Sequence, residues 1–424
     1  MSTYSLKYGD KSIKFDIEGD VTSLIPKKTK VIEDKDIEKC IINSIENPIN
    51  SKPLSKIVNP GEKVLFVVSD ITRLWIKTDK FLIYIVNYLN SLWVKDEDIS
   101  VIVAVGTHRG ASEEEKKKIV GEELYNRINI YNHDSKDKDS LEYVGTSSYG
   151  TPAYINKKIL EADRVILTGG ITFHVFAGFG GGAKSMVPGV AGFETIQKNH
   201  KLVFKKGDGG LNLNARSNVI KGNPMREDIT EICRKVSPDF LVNAVLDQNG
   251  NFVEFVSGDF EYAWLKGCNT TRDMYGIKIK DKADITIASA GGYPKDISLY
   301  QVVKSIDNSV YAGSKDSVLI IAAECREGIG ADEFMKWFKY DTLEDTEKGL
   351  KENFTVPGFV AYKAMYAAKN RKVFLLSNLD DKVVEKLGYT PVKSIDEALN
   401  KAYELSSKNP NVVFIPYGGS TLPV

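Results

Sequence analysis

Two histidines and an arginine stand at the ends of apolar runs, the positions from which an α/β protein acts on small ligands. The runs end in Ser69-Asp70-Ile71-Thr72-Arg73, Gly106-Thr107-His108-Arg109-Gly110 and Gly169-Gly170-Ile171-Thr172-Phe173-His174. In open α/β sheets ligands bind beyond the carboxyl ends of the strands. His108, His174 and Arg73 are therefore expected on one rim. An imidazole, with a pKa near 6.5, takes or gives a proton at neutral pH, and a guanidinium grips a carboxylate. The chain has only four histidines. His200, like His108 and His174, lies in or just after Gly-rich punctuation; His133, in Tyr131-Asn132-His133-Asp134, lacks that setting and reads as a surface residue. One histidine alone is usually structural, but three in such positions point to a site.

The densest feature is Ala177-Gly178-Phe179-Gly180-Gly181-Gly182-Ala183-Lys184-Ser185, followed by Val187-Pro188-Gly189. Glycines let backbone N–H groups approach a phosphate, so this reads as an anion-binding loop, with a plain turn as the alternative. Neither familiar glycine signature fits fully: no strand directly precedes the dinucleotide-like spacing, and the P-loop form needs glycine where Ala183 stands. Four separated histidines and no paired cysteines cannot easily furnish a tetrahedral metal site from protein ligands alone. A transition metal would need ligands from elsewhere, such as a cofactor. Farther along, Tyr300, Gln301 and Lys304 share one side of a helix. They read either as a grip for a carboxylate or as a solvated amphipathic face.

These groups must be positioned by a sheet. Strand signals at Val64–Val68, Val101–Val105 and Val165–Leu167 alternate with helical spacing over Asp79–Val94 and Ser112–Arg127, where Ser112 and Glu115 form a capping box. Phe240–Leu246, Gln248-Asn249-Gly250 and Phe252–Val256 read as a hairpin. A second series follows at Ile285–Ala288, Val318–Ala322, Val373–Leu376 and Val412–Ile415. The predicted fold is α/β, two lobes with mostly parallel sheets, the second Rossmann-like, and an active site in the cleft between them. The predicted division is 1–265 for a cofactor-binding and catalytic domain and 266–424 for a Rossmann-like domain, with the last strand able to return to the first.

A length of 424 residues suits two such domains. Lys+Arg and Asp+Glu are 57 each, which argues against nucleic acid as partner. No run reaches the roughly 18 apolar residues of a membrane span. Cys40, Cys233, Cys268 and Cys325 are scattered and read as inert buried thiols in a reduced cytoplasm.

Taken together, the motifs resemble the nickel-pincer lactate racemases over nearly the full length. They are Asp70-Ile71-Thr72-Arg73, Gly106-Thr107-His108-Arg109, His174-Val175-Phe176-Ala177-Gly178-Phe179, Gly181-Gly182-Ala183-Lys184, Val187-Pro188-Gly189, Glu194-Thr195-Ile196-Gln197-Lys198-Asn199-His200 and Tyr300-Gln301-Val302-Val303-Lys304. The resemblance implies an isomerase that racemises or epimerises a small 2-hydroxy acid. It implies a nickel pyridinium-3,5-bisthiocarboxylic acid mononucleotide joined through a thioamide to Lys184, in the loop of Gly181 and Gly182, with His200 as the protein ligand to nickel. By the same resemblance, His108 and His174 are the acid/base pair and Asp70 supports a histidine. Arg73 and Lys304 orient the carboxylate, and Tyr300 and Gln301 line the site. Enzymes that make the cofactor are implied partners.

Two departures stand out. The family commonly has Ser-Gly-Gly-Arg before the lysine, where this chain has Gly180-Gly181-Gly182-Ala183, and Leu74 stands where proline is usual. The rival reading is a phosphate-loop nucleotide-using transferase built on Gly178–Ser185, with Asp70 as its Mg²⁺ ligand.

Overall fold

The computed structural model describes residues 2–207 and 209–424. It divides into two compact units. The histidine unit comprises Thr29–Val203 and Leu211–Arg272; the terminal unit comprises Met1–Lys28, Phe204–Gly210 and Asp273–Val424. No helix among the described residues is long and apolar enough to cross a membrane.

Six strands form the sheet of the histidine unit, in the spatial order Phe252–Gly258, Phe240–Leu246, Arg164–Ile171, Val64–Ser69, Ile99–Ala104 and Asn129–Asn132. All neighbours run parallel except the edge hairpin, in which Phe252–Gly258 returns beside Phe240–Leu246. Numbered along the chain from Val64–Ser69, the order is 3-2-1-4-5-6, that of a doubly wound sheet. Val64 to Val68 are all buried, as a strand covered by helices on both faces requires. Strand order reverses between Val64–Ser69 and Arg164–Ile171, and the chain leaving these two strands carries Asp70, Arg73 and His174.

The surrounding helices follow their patterns. Leu82–Ser91 buries Leu82, Ile85, Val86 and Leu89, one helical stripe. The Ser112 capping box is formed in full, Glu115 Oε2 accepting from Ser112 N at 2.9 Å. The helix expected to run to Arg127 breaks instead at Gly121, whose φ of 87° ends Glu113–Val120 before Glu122–Tyr125 begins.

The terminal unit has its own six-stranded sheet, parallel throughout, in the order Thr390–Val392, Lys372–Leu376, Gly313–Ala322, Ala283–Ser289, Val412–Ile415, Val21–Ser23. The last long strand lies inside this sheet, between Ala283–Ser289 and Val21–Ser23. The exchange runs opposite to the one anticipated: Val21 pairs with Val412 and Ser23 with Phe414, so the N-terminal segment completes the later sheet. Short-range periodicity carries no record of such a pairing, which spans nearly the whole chain.

Candidate active site

Asp70 begins the turn after Val64–Ser69 and His108 the turn after Ile99–Ala104, so neighbouring parallel strands deliver them side by side. His108 Nδ1 lies 2.6 Å from Asp70 Oδ2, and Thr72 Oγ1 donates to Asp70 Oδ1 at 2.7 Å. Burial opposes ionisation of Asp70, but the bonds from His108 and Thr72, with the charge of Arg73, hold its carboxyl below the usual range. An ionised carboxylate only accepts, so His108 carries a proton on Nδ1 and turns Nε2 outward. The His108 side chain is 53% exposed while that of Asp70 is 8% exposed. Arg73 Nη1 bonds Thr72 Oγ1 at 2.9 Å, which places the guanidinium next to this pair. Arg109 takes no part: both its terminal nitrogens bind the Glu115 carboxylate at 2.6 Å.

His174 sits in a different environment. It ends the first strand of a short hairpin in which Phe173–His174 pairs with Gly178–Phe179. Its Nδ1 accepts from Ala177 N at 3.2 Å. Burial first, then the charges of Lys184, Arg73 and Arg226, push the His174 imidazolium well below the ordinary range. Phe176 lies between the two histidines, 4.4 Å from the His174 ring and 5.5 Å from the His200 ring, with the Lys184 ammonium 5.8 Å from its centroid. Lys184 is itself driven well below the usual amine range by burial and by Arg226 and Arg73. His200 is pushed down to about 3 by burial and Lys184. The Lys184 amine and a neutral His200 imidazole thus both lie against Phe176.

Several expectations need correction. His133 is buried, not superficial: Nε2 lies 2.9 Å from Ala191 O and Nδ1 3.2 Å from Asn156 Nδ2, so both ring nitrogens are satisfied inside the protein. The stretch Thr195–Lys201, mostly polar in sequence, buries Thr195, Ile196, Asn199 and His200. Its polar residues concealed an inward face because they bond there; Asn199 Nδ2 binds Asp228 Oδ2 at 2.8 Å and Thr195 Oγ1 binds Pro152 O at 2.7 Å. Of the four cysteines, three are buried and Cys40 is half-buried.

The glycine loop also differs from an anion nest. Gly180 N bonds Thr172 O at 2.8 Å, Gly182 N bonds Asn243 Oδ1 at 2.8 Å and Lys184 N bonds Gly181 O at 3.2 Å, so these amides are turned to protein acceptors. What the glycines permit is close packing. With φ of 67° and 59°, Gly181 and Gly182 would place a Cβ 2.6 Å from Asn243 Oδ1 and 2.7 Å from the Trp264 ring. The loop then enters a four-residue 3-10 turn, Gly182–Ser185, rather than the long helix a nucleotide P-loop opens.

Tyr300, Gln301 and Lys304 stand on the helix Leu299–Ser309 of the terminal unit. Lys304 Nζ donates to Gln301 Oε1 at 2.9 Å, so these two do share a helix side. The residues that sequence reasoning passed over are Arg226, Asn223, Asn243 and Trp264. A signal for Arg226 existed: it falls in the buried stripe of Pro224–Val236 with Met225, Ile229 and Cys233, where an unpaired charge is out of place.

A doubly wound sheet with a histidine–carboxylate pair, a second histidine and a half-buried lysine near its switch point has the arrangement of an enzyme site. Family models give the same class a narrower form. The lactate racemase N-terminal domain matches residues 8–210 and the lactate racemase C-terminal domain residues 278–422. The chain is 32% identical over its whole length to a lactate racemase of Thermoanaerobacterium thermosaccharolyticum, covering 99% of that protein. It is 28% identical to one of Lactiplantibacillus plantarum, over 92% of this chain and 90% of the relative. The structure of the lactate racemase apoprotein from the former organism superposes with a TM-score of 0.87 at 29% identity, covering all of both chains. A Thermotoga maritima protein at 16% identity shares the fold, with a TM-score of 0.63. This chain belongs to the lactate racemase family and is, with its relatives, an isomerase.

Among the described residues no three His, Cys, Asp or Glu side chains gather as a metal-binding group. A metal near Lys184 would take its remaining ligands from a bound group. The donor set fits that arrangement: Lys184, its pKa lowered by burial and by Arg226 and Arg73, offers an amine for a covalent link, and neutral His200 offers a nitrogen ligand.

Proposed function

We propose that this protein inverts the C2 centre of a small 2-hydroxy acid, lactate or a close relative, with a nickel-pincer pyridinium mononucleotide carried on Lys184. The observation that carries the reading is the Asp70–His108 pair at 2.6 Å, set on the same strand ends as His174 and Arg73. When bound, the cofactor would supply a metal-bearing pyridinium ring that takes up and returns hydride. Lys184 would hold it covalently and His200 would ligate nickel, with Gly181 and Gly182 packing the loop close enough to present the lysine. Enzymes that build the cofactor would be required partners.

The chain's own residues handle the rest of the chemistry. The C2–H of a hydroxy carboxylate is a poor acid, because the neighbouring carboxylate is already anionic. Loss of hydrogen as hydride becomes feasible when the hydroxyl proton leaves at the same time. His108 Nε2, backed by the Asp70 carboxylate, is the base for that proton. His174 stands on the other strand end as its partner, and Arg73 would grip the substrate carboxylate.

The test is isotopic. With 2-deuterated substrate and loaded enzyme, inversion should retain most of the deuterium in product. Solvent deuterium entering C2 in step with turnover in heavy water would defeat the hydride reading, and absence of inversion for every 2-hydroxy acid tried would defeat the racemase reading.

A further inference from the structure

Arg226 is 1% exposed and Asn223 0%, yet neither belongs to the machinery above. Both stand at the start of the helix Pro224–Val236, where Asn223 is the N-cap and its Oδ1 accepts from Arg226 N at 3.2 Å. Their side chains turn outward from that helix onto one short stretch. Asn223 Nδ2 donates to Phe176 O at 2.9 Å, Arg226 Nε to Ala177 O at 2.9 Å, and Arg226 Nη2 to Phe179 O. Three carbonyls within four residues are thus held by two side chains. The guanidinium also lies 4.4 Å from the Trp264 ring centroid, and Trp264 Nε1 donates to Gly180 O at 2.8 Å.

What this clamp fixes is the direction of the Ala177 N–H, which donates to His174 Nδ1 at 3.2 Å. A ring nitrogen that accepts carries no proton, so neutral His174 must carry its proton on Nε2. His108 has the opposite tautomer, its Nδ1–H donating to Asp70. We propose that Asn223 and Arg226 are positioning residues: Asn223 holds the Phe176 carbonyl, which shares a peptide plane with the Ala177 N–H, Arg226 holds the Ala177 and Phe179 carbonyls that follow, and together they aim the Ala177 N–H at His174 Nδ1 and keep the His174 proton on Nε2. His174 then meets the substrate oxygen as a hydrogen-bond donor, while His108 meets it as an acceptor.

Two further observations support this assignment. A buried arginine with no carboxylate partner is costly, and among the described residues Arg226 Nη1 bonds nothing; a hydrophobic side chain would fill the space at less cost if packing were the whole role. The cations Lys184, Arg73 and Arg226 around His174 also disfavour a second proton on its ring. The chemistry being served rests on the racemase reading, whereas the tautomer does not.

The test uses full-length apoprotein with ¹⁵N in the histidine rings, which only four histidines make assignable. At neutral pH the wild type should show His174 with a bare Nδ1 and protonated Nε2, and His108 with the reverse. Arg226→Met should mix the His174 tautomers while leaving the His108 signals in place. Arg226→Lys keeps the charge but has no fork to span two carbonyls, and should lie between. A wild-type His174 protonated on Nδ1 would overturn the proposal, as would an unchanged His174 tautomer in Arg226→Lys or in folded Arg226→Met. In loaded enzyme, kcat of the lysine variant should fall on the order of 10–100-fold with KM little changed. The spectra need no turnover, so a protein that inverts no hydroxy acid would still decide the tautomer.

Discussion

His108 and His174 occupy equivalent places on one sheet, each just past the carboxyl end of a parallel strand, and the protein treats them in opposite ways. His108 is half exposed and leans on an ionised carboxylate. His174 is ringed by Lys184, Arg73, Arg226 and His200 and holds a backbone amide on Nδ1. Identical side chains thereby present opposite ring nitrogens to their neighbours, His108 donating from Nδ1 and His174 accepting on it. In the proposed reaction His108 would take the hydroxyl proton and return it, while His174 would hold the oxygen by a hydrogen bond, each preset by its neighbours.

The severest way to break the comparison is to remove the lysine whose charge bears on His174. Lys184→Ala should lose racemisation to background and carry no covalent adduct by intact mass when produced with the cofactor-making enzymes. Activity retained in that variant would place the cofactor elsewhere. The histidines come next: His108→Ala and His174→Ala should each lose roughly 10²–10⁴-fold in kcat, and equal pH profiles for the two would erase the asymmetry. Asp70→Asn is a finer probe, since it keeps the shape but turns the acceptor of the His108 proton into an amide. A loss of about 10–100-fold in kcat, with the His174 ring signals unchanged, is expected.

Stability against pH separates the two regions without catalysis. His200 titrates near 3 in the folded protein but near 6.5 when unfolded, so below 6.5 the unfolded chain binds the extra proton. Stability should therefore fall as pH drops from about 6.5 toward 3, by about 2 kcal/mol from this histidine alone between 6.5 and 5. Buried His133 and half-buried His174, both lowered, act in the same direction. Asp70 adds a loss only at lower pH, as its depressed carboxyl takes up a proton. Urea midpoints at pH 7 and 5 measure this, and His200→Gln should flatten the slope. The smallest effect belongs to Arg109→Ala, next in sequence to His108 but tied to Glu115 at the surface. Turnover and melting temperature should stay near wild type.

Much of this molecule was decided locally and could be read from the chain. Val64–Val68, Phe240–Leu246 and Val412–Ile415 are strands because their runs are β-branched and apolar, and the three strand ends held Asp70, His108 and His174 because parallel sheets place polar turns there. The motif order also identified the family. Other features depended on contacts between distant segments. The pairing of Val21–Ser23 with Val412–Ile415 joins the chain's two ends, and no periodicity encodes it. The buried settings of His133 and Asn199 were hidden because polar residues enter a core only when specific partners meet them, and those partners, Ala191 and Asn156 for His133 and Asp228 for Asn199, lie elsewhere in the chain. The difference between the two histidines is of the same kind: residue type and position set that both can handle protons, whereas Asp70 and the Ala177 amide, brought in by folding, decide which nitrogen carries one.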